Sequence, residues 1–345
     1  MVALEATDFT LPGPPQDGGL TLALTRFRAS DPPEVETHGE RLSILFIHGI
    51  SYHKETWLPT VERLFELQSQ AINSNFVIAE AWVLDGANHG RAAILNETKL
   101  LSKPESIAPY EMARTIVTVF ESGLIEGTSL VGIAHSASTP VLTLSTLGYE
   151  GNKLPYSRMI LVEPPMLTRE LLAKVAKKGK VWEIMTEIAK ARKDIWPSRE
   201  AAREWMAKRP PWSAWDPRCL ELFVKHGLRD LPTAVYPDRK DGVTLCCTRD
   251  QEALSYSYGG DEGIAAIDRL EELCKAIPVH VIYGGNADII PEFVRTAFLR
   301  TKQCQNIASV TTIPGAGHLV VEEDPTSLGL AIWGALHDSA SKSRL

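Results

Sequence analysis

The sequence predicts an α/β fold: a mostly parallel, doubly wound sheet with a helical cap inserted between two of its strands. Three observations predict it. Short, largely apolar runs alternate with helical patterns along most of the chain, and such alternation implies a parallel sheet covered on both faces. That alternation stops between residue 166 and about residue 262, where helical stretches and loops follow one another without a strong strand run. The segment Ser129-Leu-Val-Gly-Ile-Ala-His-Ser136-Ala-Ser138 reads as a buried strand entering a sharp turn, with small residues at Ala134 and Ser138 on either side of Ser136.

Taken in order, residues 8 to 29 hold two short alternating segments, Phe9 to Leu11 and Leu20 to Phe27, parted by Pro and Gly as in a hairpin. The run Leu42 to Ile47, ending in His48-Gly49, suits a strand buried on both faces. Further strand runs lie at 75–84, 129–134, 159–162, 279–283 and 310–313, and helical patterns at 57–67, 109–120 and 327–337. This divides the chain into a core of residues 1–165 and 263–345 and a mainly helical cap of residues 166–262. In the cap, Thr168, Ser198 and Asp216 are expected helix N-caps, the last followed by Pro217 in the first turn. Five of the eight tryptophans (Trp182, Trp196, Trp205, Trp212, Trp215) fall in the cap, which makes it the expected wall of an apolar pocket.

Composition narrows the function classes. The 345 residues are 44% hydrophobic and 23% charged, enough for a large α/β core, and the net charge of −7 leaves no basic surplus for nucleic acid or an anionic membrane. No apolar run reaches the roughly 18 residues of a membrane helix, and the first residues lack the basic and apolar regions of a secretory signal. The five cysteines show no Cys-x-x-Cys pairing, which predicts reduced thiols and no metal; no clustered His or Cys spacing calls for a cofactor. The tripeptide Ser343-Arg344-Leu345 matches the small-basic-Leu peroxisomal address read by an import receptor.

Acyl chemistry by a nucleophile needs a base, an acid that orients the base, and donors for an oxyanion. Ser136 is the candidate nucleophile. His318, in Gly315-Ala-Gly-His after the last strand, is the candidate base. The expected oxyanion donors are the backbone N–H groups of Ala137 and of Ile50, with Ser51 as the nearby second choice to Ile50. His48 and His135 are read as supports of their turns. Two carboxylates compete for the acid: Asp288, after the strand that follows the cap, and Glu163, at the end of the strand before it.

Longer segments carry a resemblance. His48-Gly-Ile-Ser-Tyr-His-Lys-Glu-Thr-Trp57, Asp85-Gly-Ala-Asn-His-Gly-Arg91 running on to Glu97, and Tyr236-Pro-Asp-Arg-Lys-Asp-Gly-Val-Thr-Leu245 resemble fungal peroxisomal serine hydrolases of the α/β-hydrolase superfamily. That group includes the acyl-CoA hydrolase of mycophenolic acid biosynthesis and hydrolases of host-selective toxin biosynthesis. The resemblance runs over nearly the whole chain and implies an α/β-hydrolase fold. In the acyl-CoA hydrolase the acid follows the strand preceding the cap, so the resemblance gives that role to Glu163, a Glu where an Asp is expected. It also implies hydrolysis of an acyl thioester, such as an acyl-CoA, through an acyl-enzyme in peroxisomal secondary metabolism. Lys174, Lys177, Lys178 and Lys180 are then candidate contacts for CoA phosphates. A carboxylesterase or lactonase acting on a small apolar substrate is the alternative, and a non-catalytic ligand-binding protein on the same fold is a third.

Overall fold

A computed structural model describes residues 2–31, 39–72, 74–103, 105, 107–127, 129–178, 181–256 and 260–338, with the backbone alone for residues 152, 174–178, 181 and 182. Lys180 and Ser343-Arg344-Leu345 lie outside the described residues, as do the side chains of Lys174, Lys177, Lys178 and Trp182.

Eight strands form the central sheet: β1 (Leu4–Pro12), β2 (Thr21–Ala29), β3 (Glu40–Ile47), β4 (Phe76–Leu84), β5 (Ser129–His135), β6 (Arg158–Val162), β10 (Val279–Gly284) and β11 (Ser309–Ile313). Three further strands, β7 (Ile195–Trp196), β8 (Leu228–Asp230) and β9 (Val243–Leu245), form a separate small sheet in the order β7-β9-β8. The order of the main sheet is β1-β2-β4-β3-β5-β6-β10-β11. β2 runs antiparallel to both its neighbours, β1 and β4; along the sheet from β4 to β11 every pairing is parallel. The near-continuous apolar runs have a direct cause. On β3, Leu42, Ile44 and Phe46 face one layer of helices while Leu45 and Ile47 face the other. Helices Leu58–Gln70 and Pro325–His337 cover the first face through Val61, Leu64, Phe65, Leu328 and Ile332. Helices Pro109–Glu121, Ser138–Leu144 and Asp261–Ala276 cover the second through Ile116, Leu142, Ile267 and Leu270.

The insertion between β6 and β10 is mostly helical. The three expected caps hold helix ends: Thr168 accepts from Leu171 N, Ser198 from Ala201 N and Asp216 from Arg218 N. The small sheet is the part of the insertion that the sequence did not announce, because strands of two or three residues are too short to display a period. The tryptophans also sit differently from expectation. Trp196, Trp205, Trp212 and Trp215 pack edge against ring in a row, with successive centroids 5.8, 5.6 and 6.4 Å apart, and the row ends on Tyr52 of the core. They glue the insertion to itself and to the core rather than lining the cavity beside Ser138.

Candidate active site

Register brings the site together. Ile47 pairs with Ala134, Ala134 with Leu161, and His135 with Val162, so the chain leaves β3, β5 and β6 at one level of the carboxyl edge. The sheet's winding reverses between β3 and β5, and the crevice at such a reversal is where open α/β sheets bind ligands. Three non-glycine residues have a left-handed backbone among the described residues, and all three stand on this edge: Ser51 (φ 80°), Ser136 (φ 53°) and Glu163 (φ 54°). Such conformations are costly and persist where surrounding contacts impose them. Here Ser136 N donates to Val162 O at 2.9 Å, and Glu163 N to Ile282 O at 2.8 Å.

The geometry joins Ser136, His318 and Glu163 in one line. Ser136 Oγ lies 2.8 Å from His318 Nε2, and His318 Nδ1 lies 2.9 Å from Glu163 Oε2. Glu163 is fully buried, and its Oε1 accepts from Gly284 N at 2.6 Å. Its cation is Arg295, whose Nη2 reaches both carboxylate oxygens at 3.0 and 3.1 Å while the guanidinium sits 4.9 Å from the Tyr283 ring centre. With the Nδ1 proton given to a carboxylate, His318 presents Nε2 as an acceptor for the Ser136 hydroxyl. Asp288 does not reach the imidazole; its Oδ1 accepts from the backbone N–H groups of His318 at 2.9 Å and Ile289 at 2.7 Å. The carbonyl of His318 accepts from His135 Nε2 at 2.8 Å. His318 is thus held at its amide, its carbonyl and its ring.

Opposite Ser136 lies the loop after β3. The amides of Ile50 and Ala137 donate to no group among the described residues, and both residues line the adjoining cavity. The amide of Ser51 is already engaged, donating to His89 Nε2 at 3.1 Å. His48 folds onto its own loop, with Nδ1 donating to Gly49 O at 2.7 Å and Nε2 accepting from Gly86 N at 2.9 Å. Burial pushes the His48 imidazole down to about 4 and the His135 imidazole down to about 3. Both are therefore neutral props at physiological pH. Ser138 Oγ donates to His48 O at 2.6 Å, tying the turn after β5 to the loop after β3. That bond is a reason for a serine at this position. Gly49 has no such freedom: a Cβ there would stand 2.9 Å from His135 Nδ1.

The cavity beside these amides is lined mainly by apolar groups, among them Ile107, Met112, Val141, Met166 and Leu167, with Asn88, His89 and Ser255 on one wall. The space between its walls is about 970 Å³, solvent at the mouth included.

Residues 44–328 match the model of the alpha/beta hydrolase family. The chain belongs to that family. Among curated relatives of this hydrolase, the type I acyl-CoA thioesterase mpaH' of Penicillium brevicompactum is 31% identical over 204 residues, 58% of this chain and 42% of the relative. The abhydrolase domain-containing protein AFT2-1 of Alternaria alternata is 27% identical over 128 residues, 37% of this chain and 44% of the relative. The hydrolase thus spans less than half the length of these curated relatives. Among solved structures, the peroxisomal alpha-beta-hydrolase Lpx1 of Saccharomyces cerevisiae superposes with a TM-score of 0.71 at 19% identity, covering 97% of this chain and 88% of that one, which shows a common fold.

Sequence reasoning missed Arg295 and Glu252 as participants at this edge. Arg295 leaves a faint signal, a lone cation between Val294 and Phe298 on the buried side of helix Glu292–Leu299. Glu252 leaves none.

Proposed function

We propose that this protein is a serine hydrolase cleaving an acyl thioester, an acyl-CoA in the simplest case, through an acyl-enzyme. The observation that carries the reading is the unbroken line from Ser136 Oγ through the His318 ring to the buried carboxylate of Glu163, beside two amides that donate to no group among the described residues. In this reading Ser136 Oγ attacks the acyl carbon as its proton passes to His318 Nε2. The amides of Ile50 and Ala137 hold the oxyanion, and each such donor is worth ~10²–10³ in turnover. His318 returns the proton to the departing thiolate, then activates water that releases the acid and frees Ser136. Glu163 keeps the imidazole in the tautomer this requires, and Asp288 serves the His318 backbone instead. The residues between β6 and β10 act as the cap, a unit close to 166–262. The match to mpaH', an acyl-CoA thioesterase, supports the thioester over other acyl bonds.

A peroxisomal setting is part of the proposal, supported by the peroxisomal character of Lpx1 and by the Ser343-Arg344-Leu345 sequence, which an import receptor would read. The test of function is thiol release from a panel of acyl-CoAs, run beside matched methyl esters and a Ser136→Ala control. Release well above the control is expected. Cleavage of the methyl esters alone would make the protein a carboxylesterase, and no cleavage together with no labelling of Ser136 by a fluorophosphonate would make it a binder.

A further inference from the structure

The loop that offers the Ile50 amide is gripped from the insertion at the next residue, directly at its hydroxyl and, through Asn88 and His89, at its N–H. Ser51 Oγ donates to Glu252 Oε1, and Tyr256 OH lies 3.2 Å from the same hydroxyl. Glu252 belongs to helix Arg249–Ser255, is 2% exposed, and takes Arg192 Nη1 on its other oxygen at 2.6 Å. A second line leaves the same helix. Asn88 Nδ2 donates to Gln251 Oε1 at 3.4 Å and Ser255 Oγ at 3.3 Å, and Asn88 Oδ1 accepts from His89 Nδ1 at 2.7 Å. His89 Nε2 is thereby the unprotonated nitrogen, which is the form needed to accept from Ser51 N. Burial, with His48 nearby, drives His89 well below the usual histidine range and keeps it neutral. Ser51 has a left-handed backbone, which a serine holds only under constraint. Its N–H and hydroxyl supply that constraint, and the peptide they hold directly follows Ile50.

Resting on the serine-hydrolase reading above, we propose that Glu252 is a positioning residue for the oxyanion site: through Ser51 it holds the Ile50 N–H aimed at the reacting carbonyl. Helix Arg249–Ser255 also lends Ser255 to the wall of the cavity. The element that touches the substrate space is therefore the one that orients the donor, so cap placement and oxyanion stabilisation are coupled.

The experiment compares Glu252→Ala, Glu252→Gln, Ser51→Ala and the Ser51→Ala/Glu252→Ala double variant in turnover of a p-nitrophenyl ester. Loss of an oxyanion donor lowers kcat by ~10²–10³, and loss of its aim is a fraction of that. Expected for Glu252→Ala is a ~10–100-fold fall in kcat with KM within about threefold. Glu252→Gln, which keeps an acceptor for the Ser51 hydroxyl, should recover most of the rate. The double variant should be no slower than the slower single one, since both remove one contact. Should Glu252→Ala fail to fold, Ser51→Ala removes the same contact with the Arg192–Glu252 pair intact. Unchanged kcat in Ser51→Ala, additive losses in the double variant, or a loss confined to KM would overturn the proposal. A wild type that neither turns over ester nor takes a fluorophosphonate label at Ser136 would instead overturn the serine-hydrolase reading on which it rests.

Discussion

Replacing Glu163 by Gln removes one charge while keeping the shape of the side chain. In the native site the carboxylate accepts from Gly284 N, Arg295 Nη2 and His318 Nδ1. A glutamine has one acceptor oxygen and one NH₂ for these three donors. With its oxygen toward Gly284 and Arg295, its NH₂ faces His318 Nδ1, which must then be the bare nitrogen. The proton moves to Nε2, and the ring can no longer accept from Ser136. The opposite orientation puts NH₂ against the Gly284 N–H and the guanidinium. Either outcome denies His318 the role of base proposed for it, and by analogy with the buried aspartate of the serine proteases the expected fall in kcat is about 10⁴, or about 5 kcal/mol of activation energy. Gln is chosen over Ala because Arg295 is itself buried, and stripping a buried cation of its partner costs about 3–5 kcal/mol of stability. Asp288→Asn is the matched control: an amide oxygen can still accept from the His318 and Ile289 backbone, so the loss should stay under about tenfold, the difference of about 1 kcal/mol between a charge-assisted and a neutral bond. Steady-state hydrolysis of a reactive ester by both variants, with thermal midpoints to verify folding, reads the difference. A collapse in Asp288→Asn beside a near-native Glu163→Gln would refute the reasoning.

Gly49→Ala should fold yet lose about 10–100-fold in kcat, because its Cβ would press on His135 Nδ1 at 2.9 Å and Ser136 Cβ at 3.4 Å and part the loop that carries the Ile50 amide, the proposed oxyanion donor, from Ser136; kinetics with a thermal melt checks it. His135 enters the fold neutral, held down to about 3 by burial, then by His318, whereas in the unfolded chain it takes up a proton near 6.5. The unfolded state binds the extra proton below about pH 6.5, so this group's contribution is full above that pH and is lost progressively as pH falls toward 3. The thermal midpoint of His135→Gln should therefore fall less than that of the wild type between pH 7 and pH 5; parallel curves would contradict the assignment.

The parallel strands were legible because burial on both faces writes them as apolar runs: Leu42 to Ile47 was read within β3, and Val279 to Tyr283 within β10. Strand ends were legible too, since the runs break at His48-Gly49, Ser136, Glu163-Pro164 and the Gly-x-Gly-His of His318. Side-chain pairing across the fold was not. Arg295 meets Glu163 across 132 positions and Glu252 meets Ser51 across 201, and neither separation leaves a local pattern. The choice between Glu163 and Asp288 was hidden for the same reason: both stand at the right edge, and only the path of each side chain says that one takes the ring and the other the backbone.

That arrangement bears on descent. On the roles proposed above, a histidine served by two carboxylates, one at its ring and one at its backbone, lets the orienting acid migrate between strand ends in small steps. A lineage passing through such a chain can lengthen, shorten or swap either side chain while the other still steadies the loop. Acid and loop are then free to diversify on separate schedules, whereas the helix that carries Glu252 stays tied to Ser51 and must change together with the loop beneath it.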